Sequence, residues 1–97
     1  MREPKNPLYR LEFTPAAFRD LGRLDPHIRK KVFSDIETLK EDPRPHGAQR
    51  METKEKLHRV YVGPGKNYRA IYQILDGVLL VLVVRVGDRK EVYRRVT

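Results

Sequence analysis

The sequence contains no cysteine, which excludes disulfides and thiolate metal sites and leaves the fold to packing alone, in keeping with a reducing compartment. No apolar run approaches the roughly 20 residues that a membrane-spanning helix needs. Residues 1–7 are polar and proline-bearing where a secretory signal carries an apolar stretch. These absences predict a soluble cytoplasmic protein without a membrane association. A further absence is local: from Lys56 to Leu75 there is no Asp or Glu, while Lys56, Arg59, Lys66 and Arg69 alternate with Tyr61, Tyr68 and Tyr72. The closing stretch repeats the theme with Arg85, Arg89, Lys90, Tyr93, Arg94 and Arg95. Cations neutralise phosphates while rings stack on bases, so this interleaving suits RNA or single-stranded nucleic acid. An ordinary solvated face mixes both signs.

What is present points the same way. Lys and Arg number 21 against 13 Asp and Glu, a formal net charge of +8 on 97 residues. Such an excess favours nucleic acid, although basic proteins also bind acidic partners and anionic membranes. The length and a hydrophobic content of 39% allow one modest core, hence a single domain over residues 1–97.

Residues 8–13 alternate as a half-buried strand does. Thr14 then offers an N-cap oxygen and Pro15 suits the first helical position, predicting a short helix through Ala16, Phe18 and Leu21 that weakens at Gly22. Asp25 and Pro26 repeat that signal, and Ile28, Val32, Ile36 and Leu39 form the apolar stripe of a second helix, stopped by Pro43. Residues 42–56 read as a connecting loop. Three strands follow, over 57–62, 68–75 and 78–86. The first pair is joined by a wide turn at Gly63 to Asn67, and the second by a hairpin at Asp76 and Gly77. The third is apolar from Val78 to Val84, which predicts a central strand covered on both faces. The expected architecture is α+β: a strand, a helix hairpin and a three-stranded antiparallel meander in one mostly antiparallel sheet, with the helices on one face. Strand parity puts Leu57, Arg59 and Tyr61 on one face and Arg69, Ile71 and Gln73 on one face of the next strand. If those faces coincide, Arg59, Tyr61 and Arg69 converge, with Arg89 and Tyr93 close by.

The strand and helix hairpin, the run Tyr68 to Gln73 followed by Asp76 and a valine-rich strand, and the ending Val86 to Tyr93 together resemble the RelE/ParE toxin superfamily of toxin–antitoxin systems, most closely its RelE branch. The resemblance covers nearly the whole chain. It implies a RelE-like fold and an endoribonuclease, an mRNA interferase that inhibits translation by cutting mRNA in the ribosomal A site without metal or other cofactor. The 2′-hydroxyl attacks the neighbouring phosphate, the 5′-oxygen leaves, and a cyclic 2′,3′-phosphate remains. That chemistry requires a proton acceptor, cations for the charge gathering on the phosphate, and an acid near the leaving oxygen. The resemblance assigns Arg69 to the scissile phosphate and Arg89 to phosphate stabilisation or leaving-group protonation. Tyr93 matches a tyrosine that stacks on a base. The family's two basic residues on the strand before the turn are here Arg59 and Tyr61, and Tyr61 departs from the pattern. Lys56, Lys66, Lys90, Arg94 and Arg95 are the expected RNA contacts. The implied partner is a cognate antitoxin that covers the basic groove or displaces the C-terminal segment; the oligomeric state stays open.

Plainer roles exist for the same residues. Arg59 is a solvated strand residue, Arg69 pairs with Asp88 or Glu91, and Tyr61 and Tyr93 pack as amphipathic rings. Tyr68 and Tyr72 fall on the opposite face and read as core. His58 has the wrong parity for the groove, His46 lies in a loop and His27 on the second helix, so all three read as structural or inert; without Cys or an acidic cluster they make no recognisable metal site. Two other functions compete: a ParE-type inhibitor of DNA gyrase without enzymatic activity, and a plain RNA-binding module.

Overall fold

The computed structural model describes residues 8–53 and 55–89. Strand β1 (Arg10–Phe13) leads into helices α1 (Pro15–Gly22) and α2 (Pro26–Glu37). A short strand β2 (Gln49–Arg50) precedes β3 (His58–Val62), β4 (Tyr68–Leu75) and β5 (Leu80–Asp88). The sheet runs β1-β5-β4-β3-β2, with β1 parallel to β5 and the other pairs antiparallel. The helix hairpin is the crossover that parallel pairing requires, and it covers one face of the sheet. This is the α+β architecture the sequence predicts.

Thr14 caps α1 as expected: its hydroxyl accepts from the Ala17 N–H at 3.1 Å and donates to the Val84 carbonyl at 2.8 Å, tying the helix start to β5. Asp25 occupies the equivalent position before α2, but its side chain makes no capping bond. Proline alone marks that start. The α2 stripe is buried at Val32 and Ile36, and a 3₁₀ turn over Thr38–Lys40 continues it to buried Leu39 before Pro43 is reached. These side chains meet Tyr72, Val81, Val83 and Val86 in the main core, with Tyr68 packed at its border. The Tyr72 hydroxyl, completely buried, donates to the Pro43 carbonyl at 2.7 Å.

Three sequence expectations are corrected. The segment 42–56 is not wholly a loop, because β2 pairs Gln49 with Arg59 and Arg50 with His58 and makes a fifth strand. Its two residues are too few to show a periodicity. The β4–β5 hairpin is wider than its Asp-Gly signal suggests: Asp76–Val78 form a 3₁₀ turn, Leu79 takes the left-handed conformation at φ 51°, and β5 starts at Leu80. Finally, β5 is covered completely on its helix face only. Val81, Val83 and Val86 are inaccessible, whereas Leu82 and Val84 on the other face are half-buried. The cover there is a small cluster of Leu57 and Ile71 with Met51 and Val84.

β5 also carries a bulge. Ile71 faces Arg85 but Tyr72 faces Val83, so Val84 is an extra residue in the ladder. The shift brings Val86 back to the helix face, and Arg85, set opposite Ile71, still reaches α1. There Arg85 donates through Nε and Nη2 to the buried Asp20 carboxylate at 2.8 and 3.0 Å, and the Val86 N–H donates to the same carboxylate at 3.0 Å.

Candidate functional site

The face of the sheet away from the helices gathers the predicted cations. In the ladder Tyr61 lies opposite Arg69, and Arg69 lies opposite Gly87, so no β5 side chain stands at that position. The two strand faces therefore coincide. Arg69 donates from Nη2 to the Tyr61 hydroxyl at 2.9 Å, and its guanidinium carbon is 4.9 Å from the ring centroid. The guanidinium carbon of Arg89 is 4.7 Å from the same centroid. Arg89 follows β5, and its N–H donates to the Asn67 carbonyl at 3.3 Å, which fastens it to the β3–β4 turn.

Electrostatically the pair of cations acts on the phenol. The Arg69 hydrogen bond holds the Tyr61 pKa below the ordinary tyrosine value; desolvation opposes it, and the charges of Arg69, Arg89 and Arg59 add to the lowering. Arg59 shares the face but leans outward: its Nε donates to Gln49 Oε1 on β2 at 3.1 Å, and its Nη2 also donates to that oxygen. Of the three arginines its field on Tyr61 is the weakest. Arg69 itself is only 3% exposed, which corrects its expected place on the open surface. Arg89 is exposed.

The remaining predicted contacts divide. Lys56 and Lys66 are both exposed and both left-handed, at φ 54°. Arg85 is removed from the cationic surface by its pair with Asp20. Lys90, Tyr93, Arg94 and Arg95 lie outside the described residues. Tyr72 is core, as parity requires, and the His58 ring stacks on it at 5.7 Å; burial, followed by the charge of Arg44, lowers the His58 pKa. One neighbour of the site escaped sequence reasoning and another was read as inert. Gln49 had no signal, because β2 had none. His46 stood in a polar loop, yet it joins Tyr61 and Lys66 in lining a cleft of about 510 Å³ beside β3.

Two guanidinium groups beside a phenol of lowered pKa make a place for an anion with a proton acceptor next to it. Among the described residues no cluster of three His, Cys, Asp or Glu side chains is placed to hold a metal ion, and no helix is long and apolar enough to cross a membrane.

No curated protein sequence matches the chain. Solved structures do. The toxin–antitoxin complex RelBE2 from Mycobacterium tuberculosis contains a chain 26% identical to this one, with 84% of this chain and 99% of that chain covered and a TM-score of 0.67. A mutant of the E. coli toxin RelE bound to an antitoxin RelBc peptide shares 23% identity over 93% of this chain and 95% of that one, with a TM-score of 0.72. The archaeal RelE–RelB complex from Pyrococcus horikoshii shares 17% over 86% and 97%, with a TM-score of 0.67. The last two likenesses are of fold. In sequence, the profile of the family described as the ParE toxin of the type II toxin–antitoxin system parDE matches residues 11–93. Its span takes in β1, the helix hairpin and the whole meander, and with it the chain belongs to the ParE toxin family, within the RelE/ParE superfamily of type II toxin–antitoxin toxins.

Proposed function

We propose that this toxin is an endoribonuclease that cuts messenger RNA in the cytoplasm, on the ribosome, without a metal ion. The observation that carries the reading is the Tyr61 phenol held at 2.9 Å by Arg69, with Arg89 4.7 Å from its ring. The 2′-hydroxyl oxygen forms a bond to the adjacent phosphorus, and the bond from phosphorus to the 5′-oxygen breaks, that oxygen taking a proton from water. The 2′ proton passes to the Tyr61 phenolate, whose formation the neighbouring cations favour. Arg89, exposed, meets the charge developing on the phosphate oxygens, for which a planar guanidinium fork is well shaped. Arg69 holds the phenol and adds its charge from below. The solved complexes of RelE toxins with RelB antitoxins support a cognate antitoxin as the neutralising partner. The charge of +8 favours an acidic segment of that antitoxin on this face.

The test is expression of the toxin alone followed by primer extension on cellular mRNA, with chemical analysis of the new 3′ ends. Discrete cuts inside reading frames, ending in cyclic 2′,3′-phosphate and persisting in chelator, are expected. Intact mRNA together with accumulated gyrase–DNA cleavage complexes would replace this reading by a gyrase poison, a function the ParE name of the family keeps in view.

A further inference from the structure

We infer that the cleft beside β3 is the subsite for the nucleotide next to the scissile phosphate, with Lys66 on that nucleotide's own phosphate and the His46 ring stacked on its base. The inference rests on the ribonuclease reading. The cleft shares Tyr61 with the candidate site, and its volume of about 510 Å³ lies in the usual range for small-ligand sites. Its far wall is α2. There Lys31 donates to Asp35 at 3.0 Å while the other Asp35 oxygen accepts the Gly63 N–H at 2.9 Å, so the charges of that wall answer each other. Gly63 is pressed against α2 so closely that an added Cβ would stand 2.8 Å from Val32 and 2.9 Å from Tyr68. The floor is thus closely packed, and Lys66 and His46 are the other basic residues that line the cleft.

Lys66 bears a second sign. It holds φ 54° in the left-handed region, where glycine or asparagine sits at lower cost. The residue is exposed on this backbone, as Lys56 is at the same φ, so the conformation is not held by burial of its side chain. The turn that carries Lys66 is also the one that receives the Arg89 N–H at Asn67, so phosphate contacts at Lys66 and Arg89 are mechanically joined. His46 is exposed on the opposite lip and offers a flat ring. Extruded RNA bases are commonly recognised by stacking on such rings, with hydrogen bonds to their edges.

The experiment maps cleavage positions and rates on one mRNA for the full-length toxin and four variants, with the thermal midpoint of each. Lys66→Asn should raise KM about tenfold with kcat kept, since one phosphate contact is lost, and leave the midpoint equal or higher, since asparagine accepts the left-handed turn. Lys66→Arg should restore KM. His46→Ala should lower cleavage about tenfold and flatten the base preference beside the cut, while His46→Phe keeps both, as a stacking role requires. Cleavage by the wild type with unchanged KM and base preference in Lys66→Asn and His46→Ala would overturn the subsite and leave the ribonuclease standing. A wild-type protein that leaves RNA uncut would overturn both.

Discussion

Arg85 and Arg69 stand on neighbouring strands of one sheet, both are largely covered, and each holds a different group of the fold. Arg85 reaches a carboxylate: Asp20, itself only 1% exposed, takes two of its donors and the Val86 N–H. Arg69 donates to a phenol and shares that ring with a second cation, Arg89. A charge matched inside the fold stabilises, and it is then lost to any ligand. The Arg69 hydrogen bond and charge act on Tyr61, whose pKa they lower. The bulge at Val84 sets Arg85 opposite Ile71 and Gly87 opposite Arg69, and from there the Arg85 guanidinium reaches Asp20 on α1.

The largest effect should follow from breaking the matched charge. Asp20→Ala leaves a covered guanidinium and an N–H without their acceptor, and should cost about 3 to 5 kcal/mol, most of the stability of a small domain. Urea melts read it. Replacing the pair together, as Asp20→Leu with Arg85→Met, should return much of that stability; a double variant as weak as Asp20→Ala would show that the carboxylate matters chiefly to the Val86 N–H.

The next contrast lies within the site. Arg89→Ala should lower cleavage about 10²- to 10³-fold with an unchanged melt, because the side chain is exposed and its proposed donors act on the developing charge. Arg69→Ala should lower cleavage to a similar degree and also destabilise the fold, since the side chain is buried. Equal melting curves for the two variants would contradict the inside–outside difference between these arginines.

Tyr61→Phe tests the proton acceptor, with an expected loss of about 10² in rate and little change in RNA affinity. The pH profile sharpens it. Phenolate grows with pH, so the rate should climb up to the Tyr61 pKa and level above it. The Arg69 bond, reinforced by the charges of Arg69, Arg89 and Arg59, moves that climb below the value of about 10 for a free tyrosine. In Arg89→Ala the climb should move to higher pH. A profile indifferent to both substitutions would leave Tyr61 as a packing ring.

The smallest expected change, about 1 kcal/mol, belongs to Thr14→Ala, which removes the Ala17 cap at 3.1 Å and the tie to the Val84 carbonyl at 2.8 Å. It probes the bulge from the helix side. A shift in the cleavage rate larger than that in stability would mean that α1 helps to place Arg89.

Much of the fold was legible because its signals are local. The Thr14 and Pro15 start, the stripe from Ile28 to Leu39 and the strand-like run of residues 68–75 each report their element within a few positions. β2 was not legible, since two polar residues gain strand geometry only from β3. The Asp76 and Gly77 turn was visible as a hairpin but not in its width, which depends on Leu79 taking a left-handed conformation that its side chain does not favour. At the site, parity brought Tyr61 and Arg69 together on paper, and the ladder confirms the pairing. Nothing in a strand pattern separates Arg69, covered, from Arg59, tethered outward to Gln49.

By itself the sequence determined the order of elements, the helix-facing core and an excess of cations on one region, because hydrophobic periodicity and charge are properties of short stretches. Tertiary structure decided what each of these cations meets. The Arg85 pair with Asp20 joins residues far apart in the chain, and the Arg69 bond to Tyr61 needs two strands in register, so neither contact is a property of a short stretch.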